Sequence, residues 1–182
     1  MRDLAQELGI QNHHILPGAV LVRDTPKNIC RTIETKTIEE KNLLILIGSN
    51  DIIDKRSKTM RPQFVRRHLL RKIQQLLRLR KDFQPDGKLV WILLPPRHII
   101  ENPHLQTQLK EMNDIIKNMI TDIRSEVRGH KRNFVSWVDT KTLCNPLLFR
   151  FDGVHLNSLG LTRLAALTRA QMTNPNLQDQ QN

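Results

Sequence analysis

The chain alternates short apolar runs with longer stretches in which apolar residues return every three or four positions. Two runs are continuous: NLLILIG, residues 42–48, and KLVWILLP, residues 88–95. Runs of that length fit strands covered on both faces, as in a parallel sheet. NFVSWVD, residues 133–139, predicts a further strand, and HHILPGAV, residues 13–20, a short one running into a Pro-Gly loop.

Helices are expected between them. RDLAQELG, residues 2–9, reads as a short helix stopped by Gly9. In TPKNICRTIE, Thr25 suits an N-cap and Pro26 the first helical position. Val65, Leu69, Ile73 and Leu76 recur at helical spacing, with Leu70 and Leu77 beside them. A long helix is expected from about Pro103 to Val127, with Gly129 as its stop. In the last helix, NSLGLTRLAALTRAQM, positions Leu161, Leu164, Ala165 and Leu167 should face the core. Strands separated by helices predict an α/β domain of three layers around a mostly parallel sheet. The domain should span residues 1–172, with a polar, frayed tail over 173–182.

Hydrophobic content is 38%, enough for a folded core. No apolar run approaches the roughly 18 residues of a membrane span, and Met1 is not followed by a signal-peptide pattern. Cys30 and Cys144 are too few for a disulfide framework or a zinc cluster. They read as buried, reduced thiols, and an intracellular, cytoplasmic setting is expected. The histidines show no second ligand at a metal-binding spacing, so neither metal nor cofactor is expected.

Lys plus Arg number 29 against 18 Asp plus Glu, a net charge of +11. The excess is concentrated: from Lys55 to Lys81 there are eleven basic residues and no acidic one. Lys55, Arg56, Lys58, Arg61, Arg66, Arg67, Arg71 and Lys72 are the candidate contacts to a polyanion such as RNA. With no Tyr, two Trp and five Phe, an aromatic stacking platform is not expected, and phosphate contacts should dominate.

Working residues of an open α/β sheet lie just past the carboxyl ends of its strands. Three segments occupy such positions: Gly18 in the Pro-Gly loop, GSND at 48–51, and FDGVH at 151–155. Asp152 and His155 can form a carboxylate–imidazole pair in which the carboxylate fixes the tautomer and the free ring nitrogen takes a proton. The Asn50 amide can donate to a developing oxyanion, and the backbone N–H of Gly18 can be approached closely because no Cβ blocks it. Such a set lacks only a nucleophile.

These blocks resemble those of the SGNH, or GDSL-type, hydrolase superfamily of esterases and lipases. GSND is similar to its Gly-x-Asn-Asp block, DGVHLN followed by GLTRLA to its Asp-x-x-His block, and LPGAVLVRD to its glycine block. The resemblance covers about residues 1–172 in element order. It implies His155 as base, Asp152 as its orienting carboxylate, and Gly18 and Asn50 as oxyanion donors. It also implies an acyl-ester or acetyl-sugar substrate and the three-layer sandwich reached independently above. The family's Gly-Asp-Ser block, with the strand before it, is absent. Both would fall ahead of Met1, and the expectation is a truncated form that is inactive as it stands. A sheet rebuilt without that interior strand is the alternative. Of the serines present, Ser49 should point away from the base, and Ser158 should serve the first turn of the last helix. Arg97 and His98, past another strand end, are placed to line a substrate pocket, with a surface loop as the favoured reading. A second reading is a hydrolase-fold module that binds RNA through its basic surface. The RNA-binding C-terminal domain of the germ-plasm protein Oskar, which resembles these hydrolases and lacks a working active site, is its precedent.

Overall fold

The computed structural model describes residues 4–10, 20–22, 25, 27–54, 59–97, 104–127 and 134–173. The helices are α1 (Leu4–Leu8), α2 (Cys30–Glu39), α3 (Ser49–Ile52), α4 (Gln63–Phe83), α5 (His104–Ser125) and α6 (Ser158–Thr173). The strands are β1 (Asn42–Ile45), β2 (Lys88–Ile92) and β3 (Val135–Val138), all parallel in the order β1-β2-β3. Two single 3-10 turns, Lys141–Leu143 and Pro146–Leu148, lead from β3 toward α6. None of the described helices is long and apolar enough to cross a membrane.

Alternation along the strands feeds two cores. Leu89 and Trp91 of β2 join Leu69, Ile73, Leu76 and Leu77 of α4 and the buried stripe of α5. Val90 and Ile92 point the other way, onto Leu164 of α6 and Leu4 of α1. A sheet buried on both faces between two helical layers is the three-layer α/β sandwich that the apolar runs predict.

Some boundaries differ from the expectation. α2 begins at Cys30, after a turn in which Asn28 accepts from the Cys30 amide at 2.8 Å. Thr25 instead closes the preceding turn, its carbonyl accepting from Asn28 N–H at 2.9 Å. β1, expected to be covered on both faces, is hydrogen-bonded only to β2 among the described residues, and Leu43 and Leu44 are half-buried. Leu164 and Ala165 of α6 are buried as expected, whereas Leu161 and Leu167 are only partly covered. Neither cysteine is buried: Cys30 is half-exposed and Cys144 exposed, because both lie at element ends outside the apolar stripes. The HHIL strand, the Gly129 stop and the tail beyond Thr173 lie outside the described residues.

Arg80 is fully buried near the end of α4. Its guanidinium donates to the carbonyls of Thr37, Glu40 and Lys41, capping α2. The Lys41 carbonyl also accepts from Lys88 N–H at 2.8 Å, next to the first rung between β1 and β2.

Candidate active site

Because the three strands are parallel, the segments leaving their carboxyl ends emerge at one end of the sheet. β1 gives way to Gly48 and the short α3, which carries Asn50. β2 runs into Leu93–Arg97, and β3 leads through the 3-10 turns to Asp152 and His155. β2 stands between the other two, so the donor and base segments leave strands about 9.6 Å apart at the usual inter-strand spacing.

The Asp–His segment is a small closed loop. Phe149 bridges Leu156, Arg150 N–H donates to the His155 carbonyl at 2.7 Å, and Asn157 N–H to that of Leu148 at 2.9 Å. Asn157 also caps α6, accepting from Gly160 N–H at 3.0 Å. That is the role expected of Ser158, which instead opens the helix. Within the loop, one oxygen of Asp152 accepts from the amides of Val154 and His155 at 2.9 Å each. The other oxygen lies 2.6 Å from Nδ1 of His155. Partial desolvation pushes the Asp152 carboxyl up, but the hydrogen bonds from His155 and Val154 outweigh it and bring it down to about 2. An ionised carboxylate at Nδ1 holds the proton on that nitrogen, leaving Nε2 able to accept. The imidazole is 69% exposed, so a reacting group can reach it.

Arg97 joins this loop, closer to the pocket-lining alternative than to the surface loop favoured from the sequence. Its guanidinium faces the Val154 carbonyl at 3.4 Å, a long contact, and is close enough to Asp152 to feel its charge. Burial pushes the Arg97 guanidinium below its usual range, and Asp152 pulls it back up. Asn113 of α5 pins the same strand end, accepting from Leu94 N–H at 2.8 Å and donating to the Leu94 carbonyl at 2.9 Å. Thr140, just past β3, donates to that carbonyl at 3.0 Å. The β2 and β3 ends are therefore locked together.

On the β1 side, Gly48 turns the chain at φ 117°, a region L side chains rarely adopt. A Cβ there would sit 3.3 Å from a methyl of Leu94. The turn places Asp51 at 0% exposure, where both of its oxygens accept from Leu21 N–H and one from Val22 N–H, all at 3.0 Å. Asp51 thus ties Leu21 and Val22, within the glycine block, to the turn that carries Asn50. Sequence reasoning singled out its neighbour and passed over Asp51. Its signal was a carboxylate shortly after the apolar run of residues 43–47 and before Ile52 and Ile53, a setting in which a charge needs a partner. Gly18 itself lies outside the described residues, as do His98, Lys55, Arg56 and Lys58.

Ser136 is buried within β3, Ser125 donates to the Asp122 carbonyl on α5, Ser49 opens α3, and Ser158 begins α6. Burial, helped by Glu34, pushes the Cys30 thiol up and so disfavours the thiolate. Among the described residues, no cluster of three His, Cys, Asp or Glu side chains is arranged to hold a metal.

Of the other candidate polyanion contacts, Arg61 pairs with Asp54 at 3.1 Å and Lys72 with Glu34 at 3.6 Å. Arg66 turns its Nε into a buried position. Arg67 and Arg71 stand exposed on α4.

The fold and the site define a parallel α/β sandwich with a carboxylate-backed imidazole at the carboxyl end of its sheet. No protein-family model and no curated protein matches this sequence.

Proposed function

We propose that this chain carries the base and oxyanion half of an SGNH-type ester hydrolase. The observation that supports the reading best is the 2.6 Å contact between His155 Nδ1 and Asp152, with the carboxyl held ionised down to about 2. In this reading Nε2 takes the proton of a serine hydroxyl as its oxygen attacks the ester carbonyl. The Asp152 carboxylate stabilises the imidazolium without itself being protonated. The charge that gathers on the carbonyl oxygen is met by donors from Asn50 and Gly18. The imidazolium then returns its proton to the departing alcohol, and a water deprotonated by His155 releases the acid. The serine is the one that the hydrolase resemblance expects in a Gly-Asp-Ser block, and the substrate is a small acyl ester or acetylated sugar.

The test is hydrolysis of p-nitrophenyl acetate by a chain extended at its N-terminus with the upstream coding sequence. Turnover that disappears on His155→Ala is the expected result. An extended chain without turnover, or turnover indifferent to that substitution, overturns the reading.

A further inference from the structure

We propose that the outward face of the first half of α4, with the groove between α2 and α4, is a docking surface for single-stranded nucleic acid. The proposal does not rest on the hydrolase reading.

The helix has a divided character. Leu69, Ile73, Leu76 and Leu77 are at most 1% exposed and fully used by the core. The opposite side carries Phe64, Arg67, His68 and Arg71, all exposed, at the i, i+3, i+4, i+7 spacing of one helical face. They cover about 10 Å of axis at 1.5 Å per residue. Among the described residues Arg67 and Arg71 make no ion pair, and residues 55–81 contain no carboxylate to neutralise them. Further along the helix the charge is compensated: Lys81 binds Glu126, and Arg78 lies close enough to help hold that carboxyl down. The unspent charge is therefore confined to the half of α4 that starts at the carboxyl end of the sheet.

Phe64 is the unexpected member, for its ring is 73% exposed at the head of this row. A large apolar ring left in water beside free guanidinium groups is the combination on which a base stacks while its phosphates are held. Next to the row opens a groove of about 470 Å³, lined by Leu21, Val22, Arg31, Glu34, His68 and Lys72, in which Lys72 is already paired with Glu34 at 3.6 Å. Among the described residues Arg31 of α2, exposed, makes no ion pair, so it is the cation this groove leaves open to a phosphate. A groove of that size, its one carboxylate neutralised by Lys72, accommodates a nucleotide. An anionic membrane is the rival partner for a basic helix. An interfacial helix, however, binds by inserting an apolar face, and that of α4 is already buried. Phe64 and one layer of charge are too little to replace it.

The experiment is fluorescence anisotropy of the full chain with a labelled twelve-nucleotide single-stranded RNA over a salt series. With Arg31, Arg67 and Arg71 each displacing a counterion, the slope of log K against log salt should be about −2, at about −0.7 per contact. The double variant Arg67→Ala with Arg71→Ala should lower affinity and flatten the slope by about 1.4. Phe64→Ala should weaken binding at least about fivefold and leave the slope unchanged, because stacking releases no phosphate counterion. A slope flatter than about −1 overturns the proposal, as does indifference to either variant. Binding to vesicles of phosphatidylserine and phosphatidylcholine with no RNA binding also overturns it and assigns the face to membranes.

Discussion

Removing the Asp51 carboxylate puts the structural logic of the site under its most direct test. Asp51→Ala strips the acceptor from the backbone N–H groups of Leu21 and Val22. A buried donor left unpaired costs about 1–3 kcal/mol, and Val22, only half-buried, regains part of its bond from water. The expected loss is therefore about 2–4 kcal/mol, a large share of a typical total of about 5–15 kcal/mol. With a urea slope near 2 kcal/mol/M, the unfolding midpoint should fall by about 1–2 M. Asp51→Asn supplies the contrast. The same oxygen accepts from both amides, so an asparagine oriented with its oxygen there keeps both bonds. It loses the second acceptor for Leu21 and turns an NH2 donor toward that N–H, so it should cost less than alanine but more than the loss of one bond alone. Amide hydrogen exchange reads the local consequence, since Leu21 and Val22 should exchange faster in Asp51→Ala than in Asp51→Asn. Coincident midpoints for wild type and alanine variant, with protection at Leu21 unchanged, would refute the account of how the donor segment is held.

Three further outcomes are expected. The Asp152 carboxyl, followed by carbon-detected NMR, should titrate near 2. A carboxyl held below its unfolded value of about 3.9 adds stability above that pH and loses it as the pH falls toward the folded value. Asp152→Asn should therefore abolish a component of acid destabilisation between about pH 4 and 2. Gly160→Ala would bring a Cβ within 2.2 Å of the Leu148 carbonyl and must push the 3-10 turn off α6. A drop in thermal midpoint, with altered NMR shifts in the Asp152–His155 loop, is the expected sign. Arg80→Ala leaves the carbonyls of Thr37, Glu40 and Lys41 without their charged donor. With Lys41 still accepting from Lys88, two carbonyls lose their donor at about 1–3 kcal/mol each, so it should cost about 2–6 kcal/mol in a urea titration.

The Asp152–His155 pair was legible in the sequence because it is local: three residues within one loop fix both the carboxylate and the ring. The helical stripe of α4 was legible for a similar reason, since periodicity alone puts Leu69, Ile73 and Leu76 inward. What escaped depended on distant partners. Asp51 finds its donors thirty residues earlier, and Arg80 finds its acceptors about forty residues earlier. Periodicity does put Arg80 on the face of Ile73, Leu76 and Leu77 and Arg67 and Arg71 on the other, but nothing local shows the carbonyls that make a buried guanidinium tolerable there. The start of α2 was misplaced because Thr25-Pro26 has good capping chemistry, but the chain spends it on a turn and lets Asn28 begin the helix. The exposure of Phe64 was likewise invisible to composition, which counts rings without placing them.

The shared carbonyl of Lys41 bears on the order in which the molecule assembles. It receives the guanidinium of α4 and the amide of Lys88, so docking of α4 on α2 and alignment of β1 with β2 converge on one oxygen. These steps should proceed as a single cooperative event in the folding transition state. Weakening Arg80 should accordingly slow refolding more than it hastens unfolding.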